Sequence, residues 1–389
     1  MVAKALSDTF NRFFESERSG GILLIACTAL SLALTNSPIG ASYLSFWHRE
    51  IAGLSIEQWI NDALMAIFFL LIGLELEREL YVGELSNFRN ALLPIVAAVG
   101  GMLAPALIHF SFNAGMPTQT GFGIPMATDI AFALGVLAVL GDRIPASLKV
   151  FVVAFAVIDD LGAIVVIAVF YTAQLSIWYL AAALAVWILL LALNRVFRIM
   201  SLVPYLLGGV LIWFLVLKSG GHATIAGVML AFAIPFSSRD GDSKSPSHRL
   251  EHLLHRPVAF VILPIFALAN TGIVISSGWL DDLTNANSLG IIVGLIVGKP
   301  LGVTLLCSLA VALGMCRLPP DLKWPHVIGA SILGGIGFTM SIFITNLAFA
   351  GNAAEINASK IAILLASLAA GLLGLAWLRS LPAAEPKAH

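Results

Sequence analysis

Residues Ala154–Phe170 read AFAVIDDLGAIVVIAVF. The stretch is almost all hydrocarbon, yet it sets Asp159 and Asp160 side by side near its middle. The chain around it is written in the same style. Of its 389 residues, 59% are hydrophobic and 11% charged. A soluble domain carries about a quarter charged residues, so this is the composition of an all-α polytopic membrane protein and not of a globular enzyme. The formal net charge of -1 points to no partner, nucleic acid included. Cys27, Cys307 and Cys316 fall in or beside apolar segments at no metal-ligand spacing and read as small buried hydrophobes. The amphipathic N-terminus MVAKALSDTFNRFFESERSG lacks an apolar core followed by a small-residue cleavage site, which predicts that it is retained.

A membrane-crossing helix needs about 20 mostly apolar residues. Apolar runs between charged or Pro/Gly/Asn-rich breaks predict about twelve spans. They start near Glu17, Glu57, Ala91, Phe122, Ala146, Ile177, Leu202, Gly221, Leu253, Leu289, His326 and Ile356. Lys and Arg concentrate in the even-numbered connections and the two termini, from Lys4 to Lys387 and including Arg239 and Lys244. The odd-numbered connections hold Arg49, Lys218 and Lys360, and Lys299 lies inside a span. By the positive-inside rule this partition predicts twelve spans with both termini cytoplasmic.

The organisation expected is one transmembrane domain, residues 1–389, with two trios of spans at approximately 91–171 and 289–380. The trios begin on opposite sides of the membrane, so kinship between them would be an inverted repeat. Their middle members are interrupted alike. Gly123, Pro125 and Thr128 break GFGIPMATDIAFALG, and Gly334, Gly335, Gly337 and Thr339 break GASILGGIGFTMSIF. A broken helix frees backbone N–H and C=O groups at membrane depth, and these survive only in a cavity or inside protein. Such breaks in matching positions of two halves mark a transport site near the midplane.

Four ionisable residues fall near the centres of spans: Asp129, Asp159, Asp160 and Lys299. Each costs roughly 2.5–3.5 kcal/mol on the insertion scale, which makes a function the natural explanation for the set. Consecutive helical residues point about 100° apart, so Asp159 and Asp160 cannot face one point together. Lys299, on the other trio, is the buried cation available to pair with one of them. Asp129 and Lys299 would offset the facing N-termini and C-termini of two crossed broken helices. Carboxylates are hard oxygen ligands that suit H⁺, Na⁺ or Li⁺, and with no Cys/His cluster nearby a transition metal does not suit the site. A proton and an alkali cation then compete for the same oxygens, and that competition couples their movements. No resident cofactor is called for.

The segments ATDIAFALGVLAVLG, AVIDDLGAI, VGKPLG, LKSGGHATIAGV and GGIGFTMSIFI closely resemble the NhaA-type sodium/proton antiporters. The resemblance runs from NDALMAIFFLLIGLELERE to the last span. That family is itself one of the examples on which the inverted-repeat rule rests. The resemblance implies twelve helices with two crossed, broken helices, in a bacterial inner membrane. It implies electrogenic exchange of two inward protons for one outward Na⁺ or Li⁺. Asp160 would be the principal cation and proton carboxylate, Asp159 would pair with Lys299, and Thr128 and Asp129 would line the site. The second proton would ride on Asp159 or on Lys299. The family is pH-regulated, and the matching candidates are Glu75, Arg78, Glu79, His222, Glu251, His252 and His255. Glu77, in GLELERE, departs from the basic residue that relatives often carry. The region YLSFWHREIAGLSIEQW would form a small external β-hairpin that pairs two protomers. Asp62, near the outer end of the second span, reads as an interface or helix-start acid rather than as a lining of the ion path. A sodium-coupled symporter of organic anions shares the broken helices and the midplane cation site, but it calls for a substrate pocket more than a charge-balancing lysine. A channel would need a ring of ligands around a continuous pore.

Overall fold

The computed structural model describes residues 2–172, 175–237, 245–275 and 278–382. Arg239, Lys244 and Lys387, used above for orientation, lie outside the described residues. Among the described residues, the regular structure is helical apart from one short hairpin. The helices are α1 (Val2–Thr35), α2 (Gly40–Trp47), α3 (Ile56–Tyr81), α4 (Phe88–Asn113), α5 (Ile130–Leu140), α6 (Ala146–Phe170), α7 (Ile177–Arg195) and α8 (Leu202–Lys218). They continue with α9 (Ile225–Ala231), α10 (Pro246–Asn270), α11 (Trp279–Thr284), α12 (Ala286–Ala312), α13 (Trp324–Gly334), α14 (Phe338–Ala348) and α15 (Ala353–Ser380). Among the described residues, 8 helical segments are long and apolar enough to cross a membrane, or 10 if each of two bent pairs counts as one. The chain is thus a multi-pass, all-α membrane protein. Two of the twelve expected positions are filled differently. The run from Leu202 carries a helix of 17 residues, and the run from Gly221 carries one of 7, bounded by the Ser219–Gly221 turn and by Pro235.

The β-hairpin pairs β1 (Glu50–Ile51) with β2 (Leu54–Ser55). Its two loop residues, Ala52 and Gly53, have φ of 52° and 84°, the double positive-φ turn whose twist matches the flanking strands.

The chain forms two compact units, one from residues 1–26, 87–163 and 273–389, the other from 27–86 and 164–272. In the second, Leu70, Leu74, Leu190, Tyr205, Ile212 and Leu230 form a buried apolar cluster. Trp187 Nε1 donates to the Met229 carbonyl at 2.6 Å, and Trp213 Nε1 to that of Asp62 at 3.0 Å. Asp62 is partly buried within a π turn, Ile60–Leu64, so it sits inside the helical run and not at its start. The first unit is organised around α4 and α12. Gly100 and Gly302 face each other so closely that a Cβ on either would strike the other's carbonyl. Small residues at such a crossing let two backbones approach within a membrane, where apolar burial alone supplies no driving force between helices.

Pro117–Met126, the first half of the interrupted span that ends in α5, is a 3-10 helix and begins before the expected Phe122. Pro117, Gly121, Gly123 and Pro125 fall within ten residues; each Pro lacks an N–H and each Gly carries a high entropic cost in a helix. The second interrupted span is α-helical in both halves, with a 44° bend between α13 and α14. Gly302→Ala is expected to destabilise the protein by about 1–3 kcal/mol, the usual cost of overpacking. Thermal unfolding of the purified protein would read this, and an unchanged midpoint would contradict the close approach.

Candidate functional site

The site lies in the first unit, where the two breaks meet. The first break, Ala127–Asp129, is extended: φ/ψ are −80°/148° at Ala127 and −83°/102° at Asp129. The second runs from Gly335 to Gly337. Each break satisfies groups the other exposes. The Asp129 N–H donates to the Ile336 carbonyl at 2.6 Å, and the Thr128 hydroxyl donates to the Gly334 carbonyl at 2.8 Å.

Asp129 caps two helices at once. Its Oδ1 accepts from the Phe132 N–H of α5 at 3.1 Å, and its Oδ2 accepts from the Thr339 N–H of α14 at 3.1 Å. The Thr339 hydroxyl adds a bond of 2.5 Å to the same oxygen. One carboxylate thereby meets the positive ends of two helix dipoles. Lys299 does the converse. Its ammonium donates to the carbonyl of Met126, the last residue of the 3-10 segment. It also donates to Asp159 Oδ2 at 2.6 Å and lies 5.5 Å from the centre of the Phe155 ring.

Asp159, Asp160, Thr128 and Lys299 are all fully buried. Thr128 lies against the Asp159 carboxylate, and Asp160 is within electrostatic reach of Lys299. The structure thus brings Thr128, Asp129, Asp159, Asp160 and Lys299 into one place from three separate stretches of chain. Around the breaks, Gly123, Pro125, Gly334, Gly335, Gly337 and Thr339 are buried. A Cβ on Gly335 would strike the Leu295 carbonyl. Of the partners Lys299 meets, sequence reading missed Phe155 and the Met126 carbonyl. Phe155 had a signal: it is i−4 to Asp159 and shares its helix face.

The pH-sensing candidates lie in the second unit. Arg78 forms an ion pair with Glu251, Nε to Oε1 3.0 Å, and approaches Glu79 at 3.6 Å. His255 is 3.9 Å from Glu75. His252 is exposed, and His222 lies elsewhere in the unit, its Nε2 3.1 Å from the Tyr171 carbonyl. Ser247 and His248 join the cluster without having been singled out. The Ser247 hydroxyl donates to Glu77 at 3.1 Å, and His248 is 3.6 Å from Glu251. The signal for both was the Ser245–Pro246 helix start, which places them in the first turn of α10.

Removing one partner of a buried ion pair strands the other's charge. Lys299→Met is therefore expected to cost roughly 3–5 kcal/mol of stability. Asp159→Asn added to it should recover part of that loss in thermal unfolding. A double variant no more stable than Lys299→Met would contradict the pairing.

The profile of the family described as Na+/H+ antiporter 1 matches residues 11–378. The chain is 71% identical over 373 residues to the Na(+)/H(+) antiporter NhaA of Dechloromonas aromatica, covering 96% of each chain. It is 58% identical over 374 residues to that of Cytophaga hutchinsonii, again covering 96% of each. With that of Vibrio campbellii the identity is 49% over 380 residues, or 97% of each. A profile matched across nearly the whole chain, together with relatives this similar over their full length, shows that the protein belongs to the Na+/H+ antiporter 1 family.

Proposed function

We propose that this protein exports Na⁺, and Li⁺ with it, across a bacterial inner membrane in exchange for protons moving inward. As a member of an antiporter family it is a transporter and not an enzyme; exchange of ions converts no substrate to product and calls for no cofactor. The observation that carries the reading is the buried meeting of Asp159, Asp160 and Lys299 beside two helix breaks.

Asp160 is the principal cation and proton carboxylate. Asp159 supplies further oxygens once Lys299 releases it, with Thr128 and Asp129 lining the site. A cation and protons occupy the same oxygens by turns. When the site faces the cytoplasm, Na⁺ displaces protons; when it faces outward, protons displace Na⁺. Rocking of one trio of spans, residues 91–171, against the other, residues 289–380, as inverted repeats of one transmembrane domain, alternates the access. Two protons inward for one Na⁺ outward moves one net positive charge inward per cycle. An inside-negative potential then contributes about 2.3 kcal/mol per 100 mV. Each pH unit of inward gradient adds about 1.4 kcal/mol per proton.

Both termini are cytoplasmic on the Lys/Arg partition. The cluster of Glu75, Arg78, Glu79, Glu251, His252 and His255, with His222, sets the dependence of the rate on pH, and the exchange serves sodium and pH homeostasis. Histidine changes charge in the range where such regulation operates. The β-hairpin at Glu50–Ser55 pairs two protomers.

In everted vesicles with a pH-sensitive dye, Asp160→Asn is expected to abolish Na⁺-induced proton release. Release at the wild-type rate would refute the role of Asp160. In proteoliposomes, a potassium diffusion potential of the correct sign should accelerate Na⁺/H⁺ exchange. A rate indifferent to that potential would exclude an uneven charge count.

A further inference from the structure

A buried polar network sits where α4 ends and where α12 and α15 begin, all within the first unit. Nothing in the exchange at the breaks uses it. His109, in the last turns of α4, is fully buried. Its Nε2 is 3.0 Å from Asn287 Oδ1. The Asn287 amide nitrogen donates to the Ser359 hydroxyl at 2.8 Å and to Glu355 Oε2 at 3.3 Å. A carboxylate only accepts, so the amide nitrogen must face Glu355 and its oxygen must face His109. His109 Nε2 therefore carries the hydrogen and donates it. Its other ring nitrogen, Nδ1, is buried and meets no hydrogen-bonding group among the described residues. A second ring proton would find no acceptor there, so the geometry suits a neutral donor. One turn on, Asn113 donates to the Ala286 carbonyl at 3.1 Å and accepts from Thr118 at 2.7 Å.

The position of this network on α12 gives it reach. Asn287 and Lys299 stand on one helix, roughly 18 Å apart at 1.5 Å per residue. Between them lies a π turn, Gly294–Gly298, where a helix tolerates a change of register. Past the start of α12, α4 meets it mainly through smooth surfaces: Gly298 against Pro105 and Gly302 against Gly100. Such contacts hold two helices close but do not fix one along the axis of the other. Hydrogen bonds do, because they are directional. The bonds of His109 to Asn287 and of Asn113 to Ala286 supply that directionality at the start of α12. Toward its end the Cys307 thiol reaches the Leu93 carbonyl only at 3.9 Å.

We infer that His109 is a positioning residue for the ion site: as a neutral donor to Asn287 it fixes the register of α12 and hence where the Lys299 ammonium meets Asp159. The inference rests on the exchange proposed at that pair. It acts on geometry and not on titration, so an uncharged donor of similar reach should replace the ring.

The test compares His109→Leu and His109→Gln in proteoliposomes, measuring rate against Na⁺ concentration, with thermal unfolding alongside. His109→Leu is expected to raise the apparent KM for Na⁺ at least about threefold while the maximal rate stays within about twofold, and His109→Gln to restore the wild-type KM. A wild-type KM in His109→Leu with a lowered melting temperature would make the network a fastening only and overturn the inference. So would a His109→Gln as impaired as His109→Leu, which would mean that the ring acts by gaining and losing a proton. If His109→Leu does not fold, Ser359→Ala, which withdraws one acceptor from Asn287, should move KM in the same direction, and an unmoved KM there would count against the inference. Wild-type protein that fails to exchange Na⁺ for protons in these vesicles would instead sink the proposed function.

Discussion

Backbone groups freed inside a membrane must find partners within the protein, because lipid offers none. The first unit meets this constraint by setting two breaks against each other. Thr128 and Asp129 satisfy carbonyls of the second break, and Asp129 takes the Thr339 N–H in return. Either break alone would leave unpaired polar groups at membrane depth. The crossing is therefore a joint solution, and the charged residues follow from it. Two helix N-termini converge on Asp129, and the C-terminal carbonyl of the 3-10 segment converges on Lys299.

The same arrangement accounts for the site's poise. Lys299 is held by a carbonyl, a carboxylate and an aromatic face, so its charge is well accommodated while Asp159 is bound to it. On the proposed exchange an arriving cation competes with that ammonium for oxygen. Desolvation makes buried pairs costly as well as strong, so on the proposed exchange the cost of burying the pair offsets part of what a competing ion must overcome. A site bound tightly in every state would hold its ion and not pass it on.

Much of the site was legible because lipid makes charge conspicuous. Asp129, Asp159, Asp160 and Lys299 stand out against long apolar runs, and the Gly- and Pro-rich breaks stand out for the same reason. The Glu77, Ser247 and His248 contacts were harder to foresee. They occur at helix ends, where polar residues are ordinary and carry little information. The network of His109, Asn287 and Ser359 was not legible at all. Its members are 178 and 72 residues apart in pairs, and none of them is costly enough at the end of a span to draw notice. The 3-10 geometry of Pro117–Met126 was half visible: Pro and Gly announced an interruption but not which helix would replace the α form.

By itself the sequence determined the solvent of this protein, its helical class, the places where its helices break and the identity of its buried charges. All of these follow from local composition, since the transfer of a residue into lipid depends mainly on that residue. Tertiary structure decided the finer contacts: that Lys299 also meets the Met126 carbonyl and the Phe155 ring, that the Thr339 hydroxyl joins the two N–H groups at Asp129, and that α4 lies close enough to α12 for a histidine to pin it. Those depend on how helices far apart in sequence cross. Crossing is settled by the directional bonds and the small-residue contacts that form once the helices have met.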